Sequence, residues 1–306
     1  MIRRMMTAIL AAPLLAAPGH AAEAPEAAAV LNVRTAEGYR LLDRFEVPAD
    51  HAIHDGLIAF EGPGWESGKV AYRLYLDERN AIDIFGKKRP DPVLGRIGIG
   101  RDDYHAMADW GMDIFKVGES LGMGGIGTLR SGRAEQIGPS RITATVAEKG
   151  PERAAIRVDN RGWRGAAGPV DLTTTYAIAA GSRITQVTAA SSDPATPIVA
   201  GLTHHPGVTV LRSKAKRGWG YIATYGRQSL ADDDLGIALF YPLEAARETA
   251  DDGRTLYVRF RDPAAIRYAF AAAWAQEPDA PHDLPAFRRW LDEAAAELDR
   301  EGLARP

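Results

Sequence analysis

Residues 141–189 read RITATVAEKGPERAAIRVDNRGWRGAAGPVDLTTTYAIAAGSRITQVTA. Residues 141–147, 153–163, 170–179 and 182–189 of this stretch are rich in β-branched and aromatic residues, and each is short enough to be one strand. Ala180-Gly181-Ser182 stands where a tight hairpin turn belongs, because glycine tolerates the positive φ that such turns need. No long helix separates successive strands, which favours antiparallel sheets packed face to face over βαβ units. The pattern continues at residues 197–203, 221–225, 235–241, 255–260 and 265–273, with Asp251-Asp252-Gly253 as a second turn. Upstream, strands are expected at residues 39–47, 57–60, 69–76 and 80–85. The third alternates Val70, Tyr72, Leu74 and Leu76 against Lys69, Ala71, Arg73 and Tyr75. Residues 86–90 (GKKRP) read as a solvated loop.

One helix is expected, at the C-terminus. Asp283 caps it, Pro285 sits in its first turn, and Gly302 ends it. Leu284, Phe287, Trp290, Leu291, Ala294 and Leu298 share one face, with Arg288, Arg289, Glu293, Glu297 and Arg300 opposite, so the helix packs on a sheet. The fold class is therefore mostly β: a large antiparallel β-sandwich with a C-terminal α-helix.

The chain opens with Arg3 and Arg4, an apolar run and then Pro18-Gly19-His20-Ala21-Ala22, the layout of a secretory signal peptide, with residues 23–29 as a linker and residues 30–306 as a single domain. The run is too short to span a bilayer, and periplasmic localisation follows. Loss of Arg3 and Arg4 takes the formal charge from -3 to -5, and no basic run of the kind nucleic acid requires is present. Neither nucleic acid nor, after cleavage, a membrane is an expected partner. With no cysteine, burial and not disulfides must stabilise the fold.

The densest chemistry lies in residues 100–127, GRDDYHAMADWGMDIFKVGESLGMGGIG. A helical reading of residues 104–113 puts His105, Asp109 and Asp113 at i, i+4 positions on one face, where they could hold a divalent cation. Gly111 argues against a regular helix, and in a loop Asp109 and Asp113 would instead bond backbone amides. No cofactor is otherwise expected. Arg101 and Lys116 are candidates to meet an anionic substrate. Trp110 and Trp219, with Tyr104 and Tyr221, offer flat faces on which a sugar could stack. Of the adjacent His204 and His205, one strand geometry lets only one face a given cleft. His51, His54 and His282 show no local partner. The glycine run Gly122, Gly124, Gly125 and Gly127 reads as a permissive loop. No nucleophile elbow, phosphate loop or zinc pair is present.

The run Tyr-His-x-Met-x-Asp-Trp-Gly-Met-Asp-x-x-Lys-Val-Gly at residues 104–118, with YRLYLDERNAIDIFGKK (72–88) and WGYIATYGRQSLADDDLGIALFYP (219–242), resembles a bacterial family known as domain of unknown function 4861. The resemblance implies a sandwich of the galactose-mutarotase-like kind and a setting of polysaccharide degradation. It implies no catalytic role for any residue. The resemblance narrows the substrate class to uronic-acid-containing oligosaccharides, and with the candidate acid and base residues it sets the expectation of an exported enzyme acting on them by lyase or dehydratase chemistry. Tyr104, His105 and His204 are its candidate acid and base; Arg101, Lys116, Trp110, His205, Trp219 and Tyr221 are candidate substrate contacts; Asp109 and Asp113 are structural groups or metal ligands. The alternatives are an epimerase or mutarotase, and a non-catalytic carbohydrate-binding protein.

Overall fold

A computed structural model describes residues 26–100 and 103–301. The expected signal peptide, Arg101 and Gly302 lie outside the described residues. Among the described residues the protein is mostly β, with antiparallel sheets and a single α-helix. Nine strands form the largest sheet, in the order Thr209–Arg212, Trp219–Arg227, Asp234–Pro242, Ile266–Trp274, Ile184–Ser191, Pro169–Ala179, Arg153–Arg164, Arg141–Lys149 and Arg44–Glu46. A five-stranded sheet runs Ala28–Val30, Gly64–Glu66, Val70–Leu74, Ile82–Lys87 and Gly111–Asp113. A second runs Arg133–Glu135, Met123–Arg130, Ile198–Thr203, Thr255–Phe260 and Ala246–Asp251, and a bridge from Ile82 to Gly122 joins the two.

Both five-stranded sheets pack on the nine-stranded one. Trp65 stacks on Tyr176 with centroids 4.9 Å apart, Tyr72 meets the edge of Phe270 at 5.1 Å, and the Tyr268 hydroxyl donates to the Gly124 carbonyl at 2.6 Å. The buried indole of Trp65 donates to Thr185 Oγ1 at 2.9 Å, so its N–H is not left unpaired in the core. Strand alternation serves two interfaces. In Asp234–Pro242, Leu235, Ile237 and Leu239 enter the sandwich, while Ala238 and Phe240 face the helix Leu284–Glu301. Asp283 Oδ1 accepts from the Ala286 amide at 2.6 Å, capping the helix as expected, and Phe287, Leu291, Ala294, Ala295 and Leu298 are buried.

Several expectations for the first half are corrected. Among the described residues the first strand, Ala28–Val30, starts inside the expected linker, because it pairs with Gly64–Glu66. Residues 39–47 are two strands in different sheets, Gly38–Leu41 and Arg44–Glu46. Residues 57–60 contribute one bridge, Ile58 to Val33, and then the 3-10 turn Ala59–Glu61. Lys87 is no loop residue: it is 1% exposed at the end of a strand, donating to Glu66 Oε2 and the Ser67 carbonyl, both at 2.7 Å. The segment carrying Val93 and Leu94 covers that face and donates both amides to Glu66, so a lysine buried there has its countercharge. The glycine run is the buried strand Met123–Arg130: a Cβ on Gly124 would lie 2.4 Å from the Phe270 ring and one on Gly125 2.2 Å from the Leu121 carbonyl oxygen. Close approach selects glycine here, and at Gly122 (φ +72°) and Gly124 (φ +73°) so does the left-handed backbone.

Gly86 makes the same point testably. A Cβ there would lie 2.3 Å from the Trp274 ring, which is fully buried and anchored by its indole N–H to Asp233 Oδ1 at 2.7 Å. Gly86→Ala should therefore lower unfolding free energy by about 1–3 kcal/mol in urea titration. Gly95→Ala, where a Cβ meets open space, should change it by less than about 0.5 kcal/mol. Equal effects would refute the packing argument.

Candidate active site

Alternation along two neighbouring strands sets the site. Tyr72, Leu74, Ile82 and Ile84 point into the sandwich, so Arg73 and Asp83, direct cross-strand partners, point to the outer face of the five-stranded sheet. Residues 58–61, 93–100 and 103–110 cover that face, through Phe60, Leu94 and Ile97 packed with Phe85, Tyr104 and Trp110. Arg73 is 2% exposed. Its Nη2 donates to Asp83 Oδ2 at 2.7 Å, Asp113 Oδ2 at 2.6 Å and the Tyr75 hydroxyl at 3.1 Å. Its Nη1 donates to the Phe60 carbonyl at 3.2 Å and the Tyr104 hydroxyl oxygen at 3.3 Å, and lies 3.9 Å from Glu61 Oε2.

The cluster reaches solvent through His105 and His54. The His105 ring, 55% exposed, has Nε2 at 3.4 Å from Asp113 Oδ2 and packs on the Tyr104 ring with centroids 4.3 Å apart. The Asp113 amide donates to the Tyr104 carbonyl at 2.8 Å, tying the 104–110 loop to the strand that carries Asp113. Gly111 permits this approach: its φ is +132°, and a Cβ would lie 1.8 Å from the Gly86 carbonyl oxygen. On the other side, His54 Nδ1 is 2.7 Å from Glu61 Oε1, and Arg79 donates to the same oxygen at 3.0 Å. Phe60 (φ +40°), Glu61 (φ +68°) and His54 (φ +65°) are non-glycine residues held in the left-handed region. Such conformations cost about 1–3 kcal/mol each and gather where surrounding contacts impose them, often at functional sites.

One buried cation faces two buried carboxylates, and the electrostatics follow. Burial pushes the Asp113 carboxyl up from 3.8 to about 8, with repulsion from Asp83 adding to the rise and Arg73 opposing it. Burial also raises the Tyr104 hydroxyl, against the pull of Arg73. A buried acid that titrates near neutrality, touching a solvent-exposed imidazole, is an arrangement for moving protons.

The structure brings together Tyr104, His105, Asp113 and, beside them on Phe85, Trp110. It does not form the helix on which His105, Asp109 and Asp113 would align, because residues 104–110 are loop and Gly111–Asp113 is strand. Asp109 is exposed and separate. His204 and His205 are not in the cluster: His204 Nδ1 is 3.0 Å from Asp251 Oδ2, and His205 Nε2 donates to the Lys116 carbonyl at 2.8 Å while its ring meets Phe115. The Lys116 side chain is exposed. Trp219 and Tyr221 pack at the helix interface, where the Tyr221 hydroxyl donates to Asp292 Oδ1 at 2.8 Å; Tyr221 is buried there, so its flat face is not open to stack on a sugar. Arg73, Asp83, Tyr75, Glu61 and His54 were not singled out by sequence. Arg73 and Asp83 sat at polar positions of otherwise apolar strands, which was the available signal.

A family profile described as Domain of unknown function (DUF4861) matches residues 20–301. The chain belongs to that family. No curated protein matches the chain. In this DUF4861 member the matched region contains the whole cluster, from His54 to Asp113.

A carboxyl with a higher pKa in the fold than in the unfolded chain contributes stability that is fully present below 3.8 and is lost as pH rises to about 8. For this DUF4861 member, Asp113→Asn should remove that slope. The stability of wild type relative to Asp113→Asn, from urea unfolding at a series of pH values, should fall across this window and level off above it. Parallel curves would show that Asp113 does not titrate there.

Proposed function

We propose that the protein is an exported, periplasmic carbohydrate-active enzyme that acts on uronic-acid-containing oligosaccharides by proton abstraction and elimination. One observation carries this reading: the exposed His105 ring stacks on Tyr104 and lies 3.4 Å from the buried Asp113 carboxyl, whose pKa burial raises, while Arg73 holds the Tyr104 hydroxyl oxygen. The two-layer antiparallel sandwich supports kinship with the galactose-mutarotase-like enzymes and a place in polysaccharide degradation.

The chemistry balances with these groups. His105 takes the proton on the sugar carbon next to the carboxylate, the freed electron pair forms a carbon–carbon double bond, and the bond to the neighbouring glycosidic oxygen breaks. Tyr104 gives its proton to that oxygen. The Arg73 N–H donates to the Tyr104 oxygen, so the phenolic proton is left to point outward and the phenolate formed is stabilised. Asp113, when ionised, stabilises the imidazolium beside it. Lys116, and Arg101 outside the described residues, are the cations proposed to meet the substrate carboxylate. Trp110 is proposed to flank the ring.

Incubation with a panel of uronate oligosaccharides, read by mass spectrometry and by the ultraviolet absorbance of the new double bond, should yield unsaturated products. His105→Ala and Tyr104→Phe should each lower kcat/KM by about 10²–10⁴-fold with circular dichroism unchanged. Undiminished turnover in these variants would refute the assignment. Deuterium uptake from heavy water without bond cleavage would point to epimerisation, and heat of binding without product to a carbohydrate-binding protein.

A further inference from the structure

Beside the cluster lies a cleft of about 1060 Å³, the size of an oligosaccharide site rather than of a small-ion site. Val47, Pro48, Ala52, Ile53 and Ile142 give it apolar walls. Arg141 and Arg161 line it too, and they are direct cross-strand partners on Arg141–Lys149 and Arg153–Arg164. Like charges placed directly opposite destabilise a sheet. Arg161 is partly neutralised by Asp171 at 3.2 Å, whereas Arg141 is exposed and has no ion pair among the described residues. Next to them, Ser140 Oγ accepts from Asn160 Nδ2 at 3.1 Å, so its own O–H is left to donate.

The cleft and the cluster are neighbours. Asp77 lines the cleft and lies 2.5 Å from Arg79 Nη2, the same nitrogen that lies 3.0 Å from Glu61 Oε1. The loop between Pro48 and Gly56 also serves both, with His51 and Ile53 on the cleft and His54 on Glu61. Glu46 and Glu78 border the cleft as well. This mixed lining does not suit a densely charged polyanion. It suits a chain in which carboxylates alternate with hydroxyls, since hydroxyls donate to the acids while carboxylates accept from the arginines.

We infer that this cleft is an extension subsite in which Arg141, with Arg161 and Ser140, holds the carboxylate of a sugar unit further along the chain from the one at Tyr104 and His105. The inference rests on the uronate reading given above, and it adds where the rest of the chain lies. Its test is binding measured by calorimetry with oligogalacturonates from disaccharide to tetrasaccharide and with their methyl esters, together with turnover of the same compounds. Affinity should rise with chain length for the free acids, and Arg141→Gln should remove that rise, weakening the tetrasaccharide about tenfold, a figure in keeping with one lost charge-assisted hydrogen bond. Arg141→Lys should restore part of it. The methyl esters should bind wild type and Arg141→Gln alike. In turnover, Arg141→Gln should raise KM for the longer substrates and leave kcat unchanged. Length-dependent binding that Arg141→Gln leaves intact would overturn the subsite, whatever the turnover. Arginine-dependent binding without turnover would uphold the subsite and overturn only the elimination chemistry.

Discussion

A guanidinium with almost no access to water, placed directly across a strand pair from a carboxylate, fixes what the outer face of the first sheet can be. Arg73 and Asp83 are buried at 2% and 1% exposure, and removing either partner of such a pair strands the other charge at a cost of about 3–5 kcal/mol. Water must be kept off both, which requires the lid formed by residues 58–61, 93–100 and 103–110. The lid in turn delivers Tyr104 to Arg73 and His105 to Asp113. The second buried pair on the same face, Glu66 with Lys87, is capped by the same segment through the amides of Val93 and Leu94. Ionic burial thus organises this side of the molecule, whereas aromatic packing organises the interior, where Trp65, Tyr72, Tyr176 and Phe270 meet.

The second half of the chain was legible because its strands obey simple rules. Thr255–Phe260 falls where composition puts it, and the turns carrying Gly181 and Gly253 have the positive φ expected of them. The first half was less legible because its rules are tertiary. Nothing local distinguishes Lys87 in a GKKRP run from a solvated lysine; only Glu66, more than twenty positions away, explains it. The strand Met123–Arg130 has glycines where a propensity scale wants branched side chains, and the reason lies in the ring of Phe270 across the layer. Phe60 looked like the end of a strand, but its carbonyl is needed by Arg73 and its backbone turns left-handed to present it.

Within the site, residues close in sequence could be found and those distant could not. Tyr104, His105 and Asp113 stood out as a dense run of chemistry. Their partners Arg73, Asp83, Glu61 and His54 lie on other elements and carried no local signal beyond a polar residue at a strand position or an isolated histidine. The reverse error also occurred: Trp219 and Tyr221, chosen as sugar-stacking faces, are occupied by the helix, since an aromatic with a polar tip suits a half-wet packing interface as well as it suits a ligand.

The short loop from Pro48 to Gly56 carries two contacts on opposite sides, His51 toward the cleft and His54 against Glu61. Two residues separate them, and His51 is itself pinned to Asp55 at 2.8 Å, so both contacts sit on one short, hydrogen-bonded segment. Thermodynamic reciprocity then applies: whatever free energy an occupant of the cleft spends on shifting this loop is felt at Glu61, and a change at Glu61 returns the same amount to the occupant's affinity. In the function proposed above, the far end of a bound chain and the end at His105 would in this way sense each other through a single backbone segment.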